Sequence, residues 1–266
     1  MLTTLAALTS ATCGGGASDE PPIDIVATEY GFEVPDEVPA GMVRVRLSNQ
    51  GTAAHAAQLY RLESGVGLAD FVAAMERGIA FERPLATVSG GPANVDGGET
   101  GPTVEVHLEP GDYVIVCWLL DSSGTPHAFL GMVDTFRVTG EPVPEESPSA
   151  EGTFELTEYS IQVPDDFDGS GRFRVVNQGT EWHEMVVLAL DEEEPQVALD
   201  HLTGVRQLFP QPYASRGGVT ALEVDGGVGT VDLDLEAGRY LIVCTVPDVN
   251  ERYHANLGMW AEVSIP

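Results

Sequence analysis

The sequence predicts an all-β chain of two tandem sandwich domains, each interrupted by one short helix. Three observations carry this: the chain repeats itself, apolar residues alternate with polar ones, and Gly and Pro punctuate the alternating runs. The repeat is read first. Glu29-Tyr30-Gly31-Phe32-Glu33-Val34-Pro35-Asp36 returns as Glu158-Tyr159-Ser160-Ile161-Gln162-Val163-Pro164-Asp165, a shift of 129 residues. Asn49-Gln50-Gly51-Thr52 with His55 returns as Asn177-Gln178-Gly179-Thr180 with His183, a shift of 128. Val104 to Cys117 returns as Val231 to Cys244, a shift of 127. A period this long is a duplicated domain, and the small drifts are loop insertions.

Within each half the period-two signal dominates. Val104, Val106 and Leu108 alternate with Glu105, His107 and Glu109, and Val231, Leu233 and Leu235 alternate with Asp232, Asp234 and Glu236. Pro110-Gly111 and Ala237-Gly238 then turn the chain into an apolar strand ending at a cysteine. Further strands are predicted over Met42 to Leu47, Ala57 to Leu62, Arg172 to Val176 and Met185 to Leu190. Helical spacing occurs once per half, at Leu68, Phe71, Val72 and Met75 and at Ala198, Leu202 and Val205. Residues 23–140 and 151–266 are thus expected to be the two domains, joined by a solvated linker, 141–150, rich in Pro, Glu and Ser.

Composition narrows the function. With 42 acidic and 12 basic residues among 266, the net charge is −30, which nucleic acid and anionic membranes would repel. Three widely spaced cysteines, Cys13, Cys117 and Cys244, make neither a disulfide scaffold nor a zinc ribbon. The first 22 residues hold a short apolar stretch, small residues, Cys13 and a Gly run, and resemble the end of a bacterial lipoprotein signal. Cys13 is therefore the expected site of lipidation. The expected location is the cell exterior or envelope, with the membrane reached only through that lipid.

The chemistry lies in residues that repeat together. His55 matches His183, and Cys117-x9-His127-x4-Met132 matches Cys244-x9-His254-x4-Met259 with no gap. Two imidazoles, a thiolate and a weak axial thioether suit a copper ion that alternates between two oxidation states. Taken singly, a buried Cys or Met at a strand end is a packing residue. Packing does not call for imidazole, however, and the same four residue types recur in the same order. His107 and His201 have no partners at ligand spacing and read as structural, and the acidic runs at 145–146 and 191–194 read as solvated loops.

This pattern resembles the cupredoxin family of blue, type 1 copper proteins, which includes plastocyanin and azurin. The resemblance implies two Greek-key sandwiches, up to two copper ions and one-electron transfer with a redox partner protein. It implies His55, Cys117, His127 and Met132 as ligands of the first site, and His183, Cys244, His254 and Met259 as ligands of the second. Gly131 and Gly258 before the methionines also fit. Where many relatives carry an Asn after the first His, this chain has Ala56 and Glu184. A metal-free interaction module and a copper storage or delivery protein are the alternatives. An oxidase or nitrite reductase fits less well, because Val116 and Val243 precede the cysteines and there is no HxH pair.

Overall fold

A computed structural model describes residues 21–142, 149–190, 194–206, 208 and 211–266. Cys13, most of the expected tether, the middle of the expected linker and Asp191 to Glu193 lie outside the described residues.

The first half runs β1 (Ile23–Thr28), β2 (Gly31–Glu33), β3 (Glu37–Pro39), β4 (Gly41–Asn49), β5 (Gln58–Leu62), α1 (Leu68–Met75), α2 (Ile79–Glu82), β6 (Ala86–Val88), β7 (Val104–Leu108), β8 (Gly111–Val116) and β9 (Val133–Thr139). The second runs β10 (Gly152–Thr157), β11 (Ser160–Gln162), β12 (Ser170–Asn177), β13 (His183–Leu190), α3 (Pro195–Leu202), β14 (Ala214–Leu222), β15 (Gly227–Asp234), β16 (Gly238–Val243) and β17 (Trp260–Ile265). The all-β reading holds. The predicted helices are α1 and α3, and α2 is an addition that the spacing did not announce. Pro195 starts α3, and Thr203, whose hydroxyl donates to the Leu199 carbonyl at 2.8 Å, follows its end. Val205, expected on the helix, lies beyond it and is exposed.

The halves share their sheets. One sheet of eight strands, in the order β11-β10-β12-β15-β7-β4-β1-β2, spans both, while β3-β9-β8-β5-β6 and β14-β13-β16-β17 form the facing sheets. The join is the antiparallel pair β7 and β15, in which Val104 lies opposite Val231 and Glu105 opposite Thr230. Since Val104 and Val231 are the same position in the two repeats, the halves meet about a local pseudo-twofold axis. Both valines are fully buried, and each such side chain contributes about 1.5–3 kcal/mol. A continuous cluster of buried residues runs from Ile25, Leu47 and Val106 to Phe154, Val175 and Leu233.

The facing layer is also stitched across the halves. Gly90 donates its N–H to Ala221 at 3.0 Å, and Thr220 donates to Gly91 at 2.9 Å. Gly91 and Gly218, equivalent in the repeat, have φ of 136° and 124°. A Cβ on either would stand 2.1 Å from the Ala57 carbonyl or 2.0 Å from that of Met185. Only glycine allows this approach, and Ala57 and Met185 each lie two residues past a candidate ligand, His55 and His183. The duplicated glycines therefore help set where the candidate ligands stand.

Candidate metal centres

Each site is assembled at one end of a half by four segments. Cys117 and Cys244 directly follow β8 and β16, central strands whose alternation carries their side chains into the core, and both are fully buried. His127 and His254 each begin a 3₁₀ turn, His127–Leu130 and His254–Leu257. Gly131 and Gly258, at φ 109° and 101°, then reverse the chain, a left-handed conformation that a side chain would oppose. The reversal brings the methionine back beside the cysteine. Cys117 donates its N–H to the Met132 carbonyl at 3.2 Å and Met132 to His127 at 3.0 Å, and Cys244, Met259 and His254 repeat both bonds. Met132 and Met259 are fully buried.

The first histidine arrives from the other side on a loop held by side chains. Buried Asn49, at the end of β4, donates through Nδ2 to the carbonyls of Ala53 (2.7 Å) and Val95 (2.9 Å), and its Oδ1 accepts from Gly51 N–H. His55 pairs with Val95 through two backbone bonds of 3.0 and 2.8 Å. Asn177 does the same in the second half, donating to Glu181 and Leu222 and accepting from Gly179. Outside, the Glu29 carboxylate accepts from the N–H and hydroxyl of Thr52, and Glu158 accepts likewise from Thr180.

These loop bonds hold the Glu29 carboxyl down at about 2, with the Thr52 N–H as the largest cause. Its folded pKa lies below the ordinary 4.5, so it stabilises the fold above about pH 4.5 and loses that contribution as pH falls through about 2. Glu29→Gln should accordingly lower the melting temperature at pH 6, and the difference from wild type should close as pH approaches 2. A difference constant across that range would show that the carboxylate charge is not what the loop uses.

Donor atoms converge in both halves. His55 Nδ1 and His127 Nδ1 stand 3.2 Å apart, with Cys117 Sγ 3.5 Å from the latter and 3.9 Å from the former. In the second half His183 Nδ1 and His254 Nδ1 are 3.1 Å apart, with Cys244 Sγ 3.5 Å from His254. All three donors of each set lie within 4.8 Å of one another, and every one of these residues is buried. Burial and the neighbouring imidazole push His55 down to about 4, and His183 to the same value, so both rings are neutral near pH 7 and can present a nitrogen to a cation. Burial pushes the Cys117 thiol up to about 11 and raises Cys244 further still. Two nitrogen lone pairs and a sulfur aimed at one point in an apolar interior suit a cation that displaces the thiol proton. The donor set of two imidazoles and a thiolate, with a buried Met beside it, fits one copper ion per half.

Each half is cupredoxin-like. A set of candidate ligands at one end of a two-layer sandwich, with the cysteine closing one strand and the last histidine and methionine on the following loop, decides it. No family model matches the chain, and no curated protein matches it. Among solved structures, auracyanin B is 23% identical over 48% of this chain and 96% of its own, with a TM-score of 0.31. Dithionite-reduced auracyanin of Roseiflexus castenholzii is 21% identical over 47% of this chain and 100% of its own, with a TM-score of 0.30. A multicopper oxidase is 16% identical over 91% of this chain and 87% of its own, with a TM-score of 0.27.

The two cupredoxin-like halves differ around the candidate ligands. In site 2, His254 Nε2–H donates to Glu181 Oε2 at 2.8 Å, which fixes the tautomer that leaves Nδ1 free. The equivalent of Glu181 in site 1 is Ala53, and His127 Nε2 is buried without a hydrogen-bond partner among the described residues. Glu184, whose N–H reaches Cys244 Sγ at 3.5 Å, accepts from the N–H and hydroxyl of Thr245 at 2.8 and 2.6 Å. Ala56 donates the same N–H to Cys117 Sγ without a carboxylate behind it.

Three repeated pairs of site residues were not singled out from the sequence for their role. Asn49 and Asn177, Glu29 and Glu158, and Tyr30 and Tyr159 all lie inside the repeated motifs, where repetition was the only signal. Tyr30 and Tyr159 adopt φ of 61°, unusual for a bulky residue, and set their rings edge-on against His127 and His254 at 5.1 and 5.2 Å. Of the other histidines, His107 is exposed beside Glu109, and His201 packs against Tyr213. Both cysteines of the sites are free thiols.

Proposed function

We propose that the chain is an exported electron carrier that holds two type 1 copper ions and passes single electrons to or from a protein of the cell envelope. His55, Cys117, His127 and Met132 hold one ion, and His183, Cys244, His254 and Met259 the other. The observation that carries this reading is the pair of facing Nδ1 atoms, 3.2 and 3.1 Å apart, each completed by a buried thiol. Copper supplies a one-electron couple. The protein supplies fixed neutral imidazoles, N–H donors to the sulfur, and walls that exclude water, so the ligands need little rearrangement when the charge changes.

Several features support the remainder. No helix among the described residues is long and apolar enough to cross a membrane, and Cys13 offers a lipid attachment instead. The net charge of −30 would steer a basic partner and set its rate of encounter more than its affinity. Val116 and Val243 before the cysteines favour a carrier over an oxidase.

The purified protein, loaded with copper, should bind two ions and show an intense visible thiolate-to-copper band. Cys117→Ser and Cys244→Ser should each remove half of that band. A colourless, copper-free protein would overturn the reading, and copper bound without the band would favour storage or delivery.

A further inference from the structure

Three aromatic side chains lie in series between the two sites. Trp118 follows Cys117 directly in the chain, and its Nε1–H donates to the Tyr60 hydroxyl at 2.8 Å. The Tyr60 ring meets the Trp182 ring edge-on, with centroids 6.0 Å apart. Trp182 directly precedes His183, a ligand of the other site. Every step from one thiol to the other imidazole is thus a covalent bond, a hydrogen bond or a ring contact. Such links carry electron coupling far better than empty space of the same length.

The series is held rigidly. Tyr60 and Trp182 are both 3% exposed. Phe71 packs on Tyr60 at 5.0 Å, the Glu82 carboxyl lies near its hydroxyl, and the Arg83 guanidinium sits 5.0 Å over Trp182. Trp182 Nε1–H donates to Glu223, which also accepts from the Val88 N–H of the first half. The three residues also line a cleft of about 860 Å³ between the halves.

Duplication supplies the argument that this is more than filling. At the equivalent positions the other half carries Thr245 for Trp118, Leu188 for Tyr60 and Ala54 for Trp182. The register is secure, since Tyr60 pairs with Val114 and Leu188 with Leu241, equivalent residues of β8 and β16. Packing a strand needs no more than Leu or Thr there, as the other half shows. The aromatic residues occupy only one member of each equivalent pair, so they form one path instead of two.

We infer that Trp118, Tyr60 and Trp182 are a conduit for electron transfer between the two copper sites. The inference rests on the copper reading above. One electron leaves the Cu(I) of one site and arrives at the Cu(II) of the other, and no atom or proton changes hands. The protein then works as a two-centre wire, with entry at one half and exit at the other.

The test uses the full chain carrying Met259→Gln, since exchange of the axial ligand shifts the band and potential of site 2 and separates it from site 1. After flash reduction, absorbance should show a first-order phase, independent of protein concentration, in which the electron redistributes between sites. Tyr60→Phe and Trp118→Phe, which break the same hydrogen bond, should each slow that phase by about ten-fold, and the double variant should be no slower than either single one. Trp182→Leu should slow it as well. Should Trp182→Leu fail to fold, the two Phe variants, which keep a ring in place, still decide the matter. In the metal-free protein, the Trp118 indole N–H resonance should shift in Tyr60→Phe. A protein without copper or colour would overturn the copper reading. A protein coloured at both sites would overturn the conduit alone if it lacked the first-order phase, kept its rate in both Phe variants, or left the Trp118 resonance unmoved.

Discussion

Glu181→Gln will raise the reduction potential of the second site, and the two sites of the wild-type protein will differ, with site 2 the lower. His254 Nε2–H donates to Glu181 Oε2 at 2.8 Å, so the carboxylate draws the proton and makes the opposite nitrogen a stronger donor. A stronger donor favours Cu(II) over Cu(I) and lowers the potential. In site 1 the same position is Ala53, and His127 Nε2 is buried with no partner among the described residues. Loss of an outer hydrogen-bond partner changes metal affinity by about 10–100-fold. A tenfold change in preference between the two oxidation states is about 59 mV for a one-electron couple. An upward shift of about 60 mV is therefore expected for Glu181→Gln, measured by spectroelectrochemical titration in a Cys117→Ser background where only site 2 is coloured. The reciprocal variant, Ala53→Glu in a Cys244→Ser background, should lower site 1 by giving His127 the partner it lacks. Potentials that coincide in the two single-site proteins, and do not move in either variant, would show that the carboxylate leaves the metal untouched.

The distribution of legible and illegible features follows from what repeats. The strands were readable because half-buried β-structure imposes alternation, as at Val104, Val106 and Leu108, and because that alternation occurs twice. The candidate ligands were readable because imidazole, thiol and thioether at matching offsets answer no packing demand. The shared eight-stranded sheet was not readable. Val104 and Val231 look like any core-facing pair, and a strand's sequence does not say whether its edge is free or joined to another half. The roles of Asn49 and Tyr30 were hidden for a related reason: a buried amide that pins a loop and a tyrosine in a left-handed conformation are defined by three-dimensional neighbours. Trp118, Tyr60 and Trp182 were hidden most deeply, since they break the repeat and are 58 and 64 residues apart in sequence. Breaks in a duplication are thus as informative as matches, once the fold shows where they gather.

Glu82→Gln will stabilise the protein at alkaline pH and leave it unchanged near pH 4.5. Glu82 ends α2 at the seam between the halves and is 4% exposed. Burial raises its carboxyl from 4.5 to about 7, with the Arg83 charge and the nearby Tyr60 hydroxyl only partly opposing that rise. Below about pH 4.5 the folded and unfolded chains both hold the proton, and the residue has no linked effect. Between 4.5 and about 7 the folded state holds a proton that the unfolded state has released, so stability falls as pH rises, and above 7 the loss is complete. The span of about 2.5 units corresponds to a loss on the order of 3 kcal/mol. Gln keeps an amide that can meet the Tyr60 hydroxyl and carries no charge to desolvate. Its melting temperature at pH 8 should exceed that of wild type by roughly 6–12 °C, the scale of that energy in a chain of this size. Calorimetry at pH 4.5, 6 and 8 reads the difference directly. A gap that opens with pH shows that an ionised carboxylate is being forced into the seam, whereas a gap equal at all three would assign the effect to packing and place the titration elsewhere.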